Sequence, residues 1–305
     1  MELSRKEDIL FLTKEWKGER FEDGRPKVSD SVIERLKHVT TEEAVMAMIA
    51  HGYKHQFEGD LKRVNSEVKL IGRAVTAVMV PTRPDVHMNM LEKGRTEDGR
   101  HGFFNQWVIE TLVEGDVVVV DMCDQILYGT YVGGNLSTAI KSRTKTGGAV
   151  IWGGIRDLEQ IVEIPDFQLY YRGVDPTPIG DVMMTGMNTA CRIGHAVCLP
   201  GDIVLGTISG VTFIPAHLAE LVATRAEKVH IKDVFGFERL ATNTYTPSQV
   251  DNAWNAEIMD DFIHWFATAD AAKDYQHLTW EEEIEAAKSP TQKREFNGLV
   301  GYSYC

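Results

Sequence analysis

An arginine followed at once by an aspartate, Arg156-Asp157, stands just beyond the apolar run Ala149-Val150-Ile151-Trp152. The two side chains are different tools: a guanidinium can grip a planar carboxylate or enolate through two hydrogen bonds, and a carboxylate can ligate a hard divalent cation. Upstream lies Gly133-Gly134-Asn135-Leu136, with twenty residues between Asn135 and Arg156. Two glycines permit a tight backbone, Asn135 is a favoured N-cap, and Leu136 to Lys141 lacks breakers, so the stretch predicts a helix whose first amides point outward unpaired. A helix N-terminus carries about +0.5 elementary charge, which suits it to a carboxylate or phosphate near Asn135 and Leu136. A place for an anion is thereby paired with a place for a metal. An Arg-Asp dipeptide alone is commonly a surface pair that caps the following helix, here Leu158 to Val162. The surrounding pattern argues for more.

The elements that must hold these groups are legible in outline. Ala149 to Trp152, bounded by glycines, reads as a buried strand, and in α/β sheets ligand sites form beyond the carboxyl ends of such strands. Short β-branched runs at Lys69–Val80, Val117–Asp121, Ala149–Trp152, Ile203–Gly206 and Val211–Ile214 alternate with helical stretches, which predicts an α/β domain. Thr40-Thr41-Glu42-Glu43 matches a capping box leading into Ala44 to His51. Trp254, Ile258, Phe262, Trp265 and Phe266 fall at helical spacing, an apolar stripe that must be covered by something. The expected organisation is an N-terminal helical segment over 1–60 packed on the core, an α/β core over 61–235 and a C-terminal helical extension over 236–305. Between Pro81 and Gln106 a polar stretch containing Arg83, His87, Arg95 and His101 reads as a solvated loop or a lid. His51 and His55 are placed on one helical face without an HExxH motif and read as packing, and Trp152 and Tyr170-Tyr171 read as core.

The order strand, glycine turn, helix, glycine pair (Gly147-Gly148), strand, Arg-Asp resembles the RraA-like family, named for the regulator of ribonuclease activity A and including the 4-hydroxy-4-methyl-2-oxoglutarate aldolases. Further matches are Ile71-Gly72-Arg73-Ala74-Val75-Thr76, Glu114-Gly115-Asp116 through Asp121, Tyr171-Arg172-Gly173, and Pro200-Gly201-Asp202 through Gly206 followed by Gly210-Val211. They come in family order across roughly residues 30 to 235. The resemblance implies a swivelling-type α/β/β/α sandwich, with helical N- and C-terminal extensions in this chain, that assembles into homotrimers or homohexamers with composite sites at protomer boundaries. Two positions depart from the family pattern. Asn135 stands where an acidic residue is usual and cannot act as a base, and Thr207-Ile208-Ser209 replaces acidic residues after Gly206, which reads as a turn.

Composition bounds what remains. A chain of 305 residues that is 43% hydrophobic can bury a substantial core. No stretch approaches the roughly 20 apolar residues needed to cross a bilayer, and the first residues lack a secretory layout, so a cytoplasmic location is expected. Cys123, Cys191, Cys198 and Cys305 show no metal-ligand spacing and read as reduced structural thiols. A formal charge of −13 without a basic run disfavours nucleic acid as a partner, and membrane is disfavoured as well. No Walker lysine loop, GxGxxG or GxSxG is present, which disfavours nucleotide-dependent and serine-hydrolase chemistry. The expected reaction is metal-assisted carbon–carbon cleavage, as aldolase or decarboxylase, of a small anionic 2-oxo acid. The amides of Gly134, Asn135 and Leu136 would take its carboxylate, Arg156 its oxo or enolate oxygen, and Asp157 Mg²⁺ or Mn²⁺. Dehydration of a hydroxy or sugar acid is the alternative reaction, and protein-binding regulation of a ribonuclease the non-catalytic one.

Overall fold

Val117, Val118, Val119 and Val120 are each fully buried, alternate residues facing opposite sides, and this run marks the middle of the sheet. Burying a valine side chain contributes roughly 1.5–3 kcal/mol, so four in succession on both faces commit the segment to a central strand. In a computed structural model the described residues are 3–288; Cys305 and the end of the expected C-terminal extension lie outside them. The strands are β1 (Phe57–Glu58), β2 (Lys62–Arg63), β3 (Leu70–Pro81), β4 (Asp116–Asp121), β5 (Ala149–Ile155), β6 (Leu169–Val174), β7 (Val182–Met187), β8 (Cys191–Ile193), β9 (Ala196–Cys198), β10 (Ile203–Gly206) and β11 (Val211–Ile214). The helices are α1 (Lys6–Leu12), α2 (Asp30–Leu36), α3 (Thr41–Ile49), α4 (Pro84–Thr96), α5 (Phe104–Ile109), α6 (Gly134–Thr144), α7 (Leu158–Ile161), α8 (Ala219–Ala241), α9 (Pro247–Val250), α10 (Ala256–Thr268) and α11 (Glu281–Lys288).

Nine strands form one mixed sheet in the order β1-β11-β10-β3-β4-β5-β6-β2, with β7 also paired to β3. β3, β4, β5 and β6 run parallel at its centre, and the outer strands join antiparallel. On one face Val118, Val120 and Ile151 meet Phe104, Trp107 and Val108 of α5, Ile140 of α6 and Ile161 of α7. On the other, Val117, Val119, Val150, Trp152 and Tyr170 meet the hairpin β8–β9 through Cys191, Ile193, Ala196 and Cys198. Trp152 and Tyr170 are therefore core, and Cys123, Cys191 and Cys198 are free thiols. Thr207 to Ser209 form the β10–β11 turn, with the Thr207 amide donating to the Gly210 carbonyl at 2.8 Å.

The described residues divide into two compact units, one holding those up to Thr41 together with His55–Ala219, the other Glu42–Lys54 with those from Glu220 onward. The second unit has its own aromatic core: Phe235 of α8 and Ile258, Phe262, Trp265 and Phe266 of α10 are buried with Trp280. The stripe predicted from helical spacing is thus covered within this chain. Two expectations are corrected. Residues 84–96, expected as loop, are the helix α4, with Pro84 in its first turn where a missing N–H costs nothing. His87 on α4 lies against Phe103 and Phe104 at ring separations of 5.7 and 5.5 Å, and burial lowers its pKa. His51 and His55 both lie beyond the end of α3 at Ile49, so they share no helical face. No helix among the described residues is long and apolar enough to cross a membrane.

Candidate active site

β5 is longer than its apolar run suggests, because Gly153 and Gly154 continue it to Ile155. The glycines are required there: a β-carbon on Gly153 would stand 2.5 Å from Met122 Cβ, and one on Gly154 2.8 Å from the Ile126 carbonyl oxygen. The chain after β4 crosses closely over this strand end and then runs alongside it. Thr130 bridges Gly154 in parallel, the Tyr131 amide donates to the Gly154 carbonyl at 2.9 Å, and the Arg156 amide donates to the Val132 carbonyl at 3.0 Å. Asn105 of α5, itself buried, holds the same segment by donating from Nδ2 to the Tyr131 carbonyl at 2.7 Å. Residues 130–132 therefore deliver Gly133 and Gly134 to the side of Arg156 and Asp157. This pairing brings together the two halves read separately in the sequence.

The helix begins earlier than predicted. Gly133 is the N-cap of α6, in extended conformation and with no side-chain cap, and Asn135 lies within the first turn with its side chain exposed. Glycine is needed at the cap because a β-carbon on Gly133 would run into Asp157 Oδ2. The Gly134 amide donates to that same oxygen at 3.2 Å. The first intrahelical bond is the Ser137 amide to the Gly133 carbonyl, at 3.0 Å, which leaves the amides of Asn135 and Leu136 ahead of the helical ladder. An eleven-residue helix puts the positive end of its dipole at this point.

Asp157 has φ 54° and ψ 37°, the left-handed conformation that costs a non-glycine residue on the order of 1 kcal/mol and that aspartate tolerates better than most. It turns the chain from β5 into α7 and aims its carboxylate back at α6. Arg156 Nε lies 3.4 Å from Asp157 Oδ2, and the two side chains are 35% and 37% exposed, so the pair is open to a ligand. Asp157 Oδ1 makes no hydrogen bond among the described residues, which leaves one carboxylate oxygen for a hard cation. No group of three His, Cys, Asp or Glu side chains that could hold a metal ion occurs among the described residues, this site included. A cation here would take one protein oxygen and complete its shell with water and substrate, a pattern usual for Mg²⁺.

All five residues predicted for the site thus lie along the seam between the start of α6 and the end of β5. The sequence did not show the buried Asn105 anchor, nor Gln160, whose Oε1 fills the space a β-carbon on Gly134 would need. The signal for Gln160 was its position three residues after Asp157 at the start of a helix, where such residues become neighbours.

A family model described as RraA-like: Aldolase/RraA matches residues 26–213. A protein of Halalkalibacterium halodurans, provisionally named a 4-hydroxy-4-methyl-2-oxoglutarate aldolase, is 29% identical over 122 residues, which is 39% of this chain and 55% of that protein. The match thus spans little more than half the length of that relative. Among solved structures, an uncharacterized protein from Pseudomonas syringae pv. tomato str. DC3000 superposes with a TM-score of 0.61 at 18% identity, over 77% of this chain and 98% of its own. Streptomyces coelicolor RraAS2, described as an unusual member of the RNase ES inhibitor RraA protein family, gives 0.58 at 21% identity, over 69% and 96%. Likenesses this distant speak for the fold.

Proposed function

The chain belongs to the RraA-like family, and on that premise we propose that it is a divalent-metal-dependent lyase that cleaves a carbon–carbon bond in a 4-hydroxy-2-oxo acid or oxaloacetate through a pyruvate enolate. The observation that carries this reading is the convergence of the Gly134 amide, Asp157 and Arg156 at the C-terminal end of a parallel strand, with Asp157 held in a left-handed backbone. Observed strain of this kind is a pointer to function, since the surrounding structure must maintain it.

Such cleavage leaves an electron pair on the carbon next to the oxo group, and its hardest demand is to stabilise the resulting enolate beside a carboxylate. The amides of Asn135 and Leu136, at the positive end of α6, bind the substrate carboxylate; that of Gly134, expected to join them, is engaged by Asp157 Oδ2 instead. The Arg156 guanidinium, whose Nε would stand 3.0 Å from a β-carbon on Gly133, bonds the oxo oxygen, more strongly as it becomes an enolate. Asp157 would hold Mg²⁺ or Mn²⁺ through Oδ1 while Oδ2 stays tied to the Gly134 amide. Such an ion supplies Lewis-acid stabilisation of the enolate oxygen. Asn135 and Gln160 are carboxamides, so neither takes the proton that the C4 hydroxyl gives up as the C3–C4 bond breaks; water in the open site would take that proton, and water would likewise protonate the enolate carbon to give pyruvate. The same reading places the site in a swivelling-type core, completed by a neighbouring copy in a trimer or hexamer.

The test is pyruvate release across 4-hydroxy-2-oxo acids and oxaloacetate, with and without chelator. Turnover is expected to vanish on chelation, to return with Mg²⁺ or Mn²⁺, and to be abolished in Arg156→Ala and Asp157→Ala. Full activity in either variant would end the proposal. Products that keep every carbon of the substrate would point instead to dehydration.

A further inference from the structure

Gln160 stands one helical turn from the strained aspartate, and its amide donates to the Asp157 carbonyl at 2.9 Å. The first turn of the short helix α7 therefore sets the backbone positions of the two residues relative to each other. The Gln160 side chain leans over Gly134: a β-carbon there would collide with Gln160 Oε1 and stand 3.1 Å from its Cβ and 3.2 Å from its Cδ. The room that any other residue at 134 would occupy is filled by a carboxamide. That carboxamide makes no hydrogen bond within the described residues and is exposed, so its donor and its acceptor are both free for a ligand. It lies one residue from the amides that α6 offers to an anion. Asn135, at the position where the family resemblance anticipates an acid, is likewise exposed and neutral.

We infer that Gln160 is a specificity-determining residue of this site, its carboxamide hydrogen-bonding the hydroxyl or carboxylate at the far, C4 end of the substrate. The inference rests on the lyase reading above. A neutral amide accepts from a hydroxyl and donates to a carboxylate, so it tolerates either far end, whereas a carboxylate at the same place would repel a second anion. Gln160 is thus suited to substrates whose leaving half is polar, and it leaves recognition of the common 2-oxo acid end to α6 and Arg156.

The test compares the full-length wild type with Gln160→Ala and Gln160→Glu in the presence of Mg²⁺. Two substrates share one end and differ at the other: 4-hydroxy-2-oxobutanoate, with a neutral hydroxyl, and oxaloacetate, with a carboxylate. Oxalate, a planar mimic of the enolate end alone, serves as inhibitor. In Gln160→Ala, KM should rise about five- to tenfold for both substrates, the range expected for one lost hydrogen bond, while the oxalate inhibition constant moves by less than about twofold. In Gln160→Glu, KM for oxaloacetate should rise further than for the hydroxy acid. Unchanged KM values in Gln160→Ala would overturn the inference, as would oxalate inhibition weakening in step with KM, which marks a merely structural residue. Loss of turnover in Arg156→Ala alongside a silent Gln160→Ala would sink this inference and leave the lyase reading standing. A wild type that neither turns over these acids nor binds oxalate would end both.

Discussion

Two arginine–aspartate pairs sit at opposite ends of the parallel strands and are built in opposite ways. Asp116 opens β4, and there Arg25 meets it with two parallel hydrogen bonds of 2.8 and 3.3 Å. Their side chains are 3% and 0% exposed. Asp116 Oδ2 also accepts the Val113 amide at 2.9 Å, while Arg25 bonds Asp23 at 2.7 Å and lies over the Phe21 ring at 4.8 Å. Burial pushes the Asp116 carboxyl above its ordinary value, against the downward pull of Arg25. Beyond the end of β5, by contrast, Arg156 and Asp157 share a single contact of 3.4 Å, stay about a third exposed, and include a backbone in the left-handed region. The same two residue types close one end of the sheet and hold the other open. A pair whose bonds are saturated by its own chain stabilises the fold; a pair left short of partners is available to something else.

The contrast can be broken most sharply at the closed end. Arg25→Ala leaves a carboxylate buried without its counter-charge and should cost about 3–5 kcal/mol of unfolding free energy, read from chemical denaturation. Replacing both partners with apolar residues of similar volume, Arg25→Met with Asp116→Leu, should recover most of that loss, because the penalty lies in the stranded charge. If the single variant unfolds at the wild-type midpoint, the pair is not what ties the N-terminal segment to β4. At the open end the pattern should reverse. Arg156→Ala is expected to abolish measurable turnover, a loss of at least about 100- to 1,000-fold for a missing enolate-stabilising donor, while shifting stability by no more than about 0.5 kcal/mol. A loss of stability there as large as at Arg25 would erase the distinction.

How much of this was readable from the chain follows the same division. The central strands were legible because burial on both faces makes their valines continuous, and the α10 stripe because one face of a helix repeats every third or fourth residue. α4 was not, since only Leu91 and Gly94 of its thirteen residues are buried. Gly94 is pressed against the Trp107 ring, so tertiary contact secures the helix where apolar periodicity does not. The site residues were legible as types and spacing. Their convergence was not, because it depends on residues 130–132 pairing along β5 and on Asn105 reaching back to Tyr131, contacts that no local pattern encodes. Asn135 drew the helix start two residues too far along, since the true cap is a glycine selected by the closeness of Asp157 rather than by a capping side chain.

The smallest expected effect bears on the strain itself. At φ 54° an alanine has a β-carbon that clashes and no polar side chain to compensate, whereas glycine adopts this conformation freely. Asp157→Gly should therefore be more stable than Asp157→Ala by about 1 kcal/mol, measured by urea denaturation, although both lack the carboxylate and both should be inactive. If the two variants are equally stable, the left-handed turn relaxes once the carboxylate is gone, and the backbone is shaped by the Asp157–Gly134 bond. If glycine gains the expected margin, and approaches or exceeds the wild type, the chain keeps an aspartate here at a cost to its own stability. A purely structural residue would give no reason for that cost; a carboxylate that must face the start of α6 does.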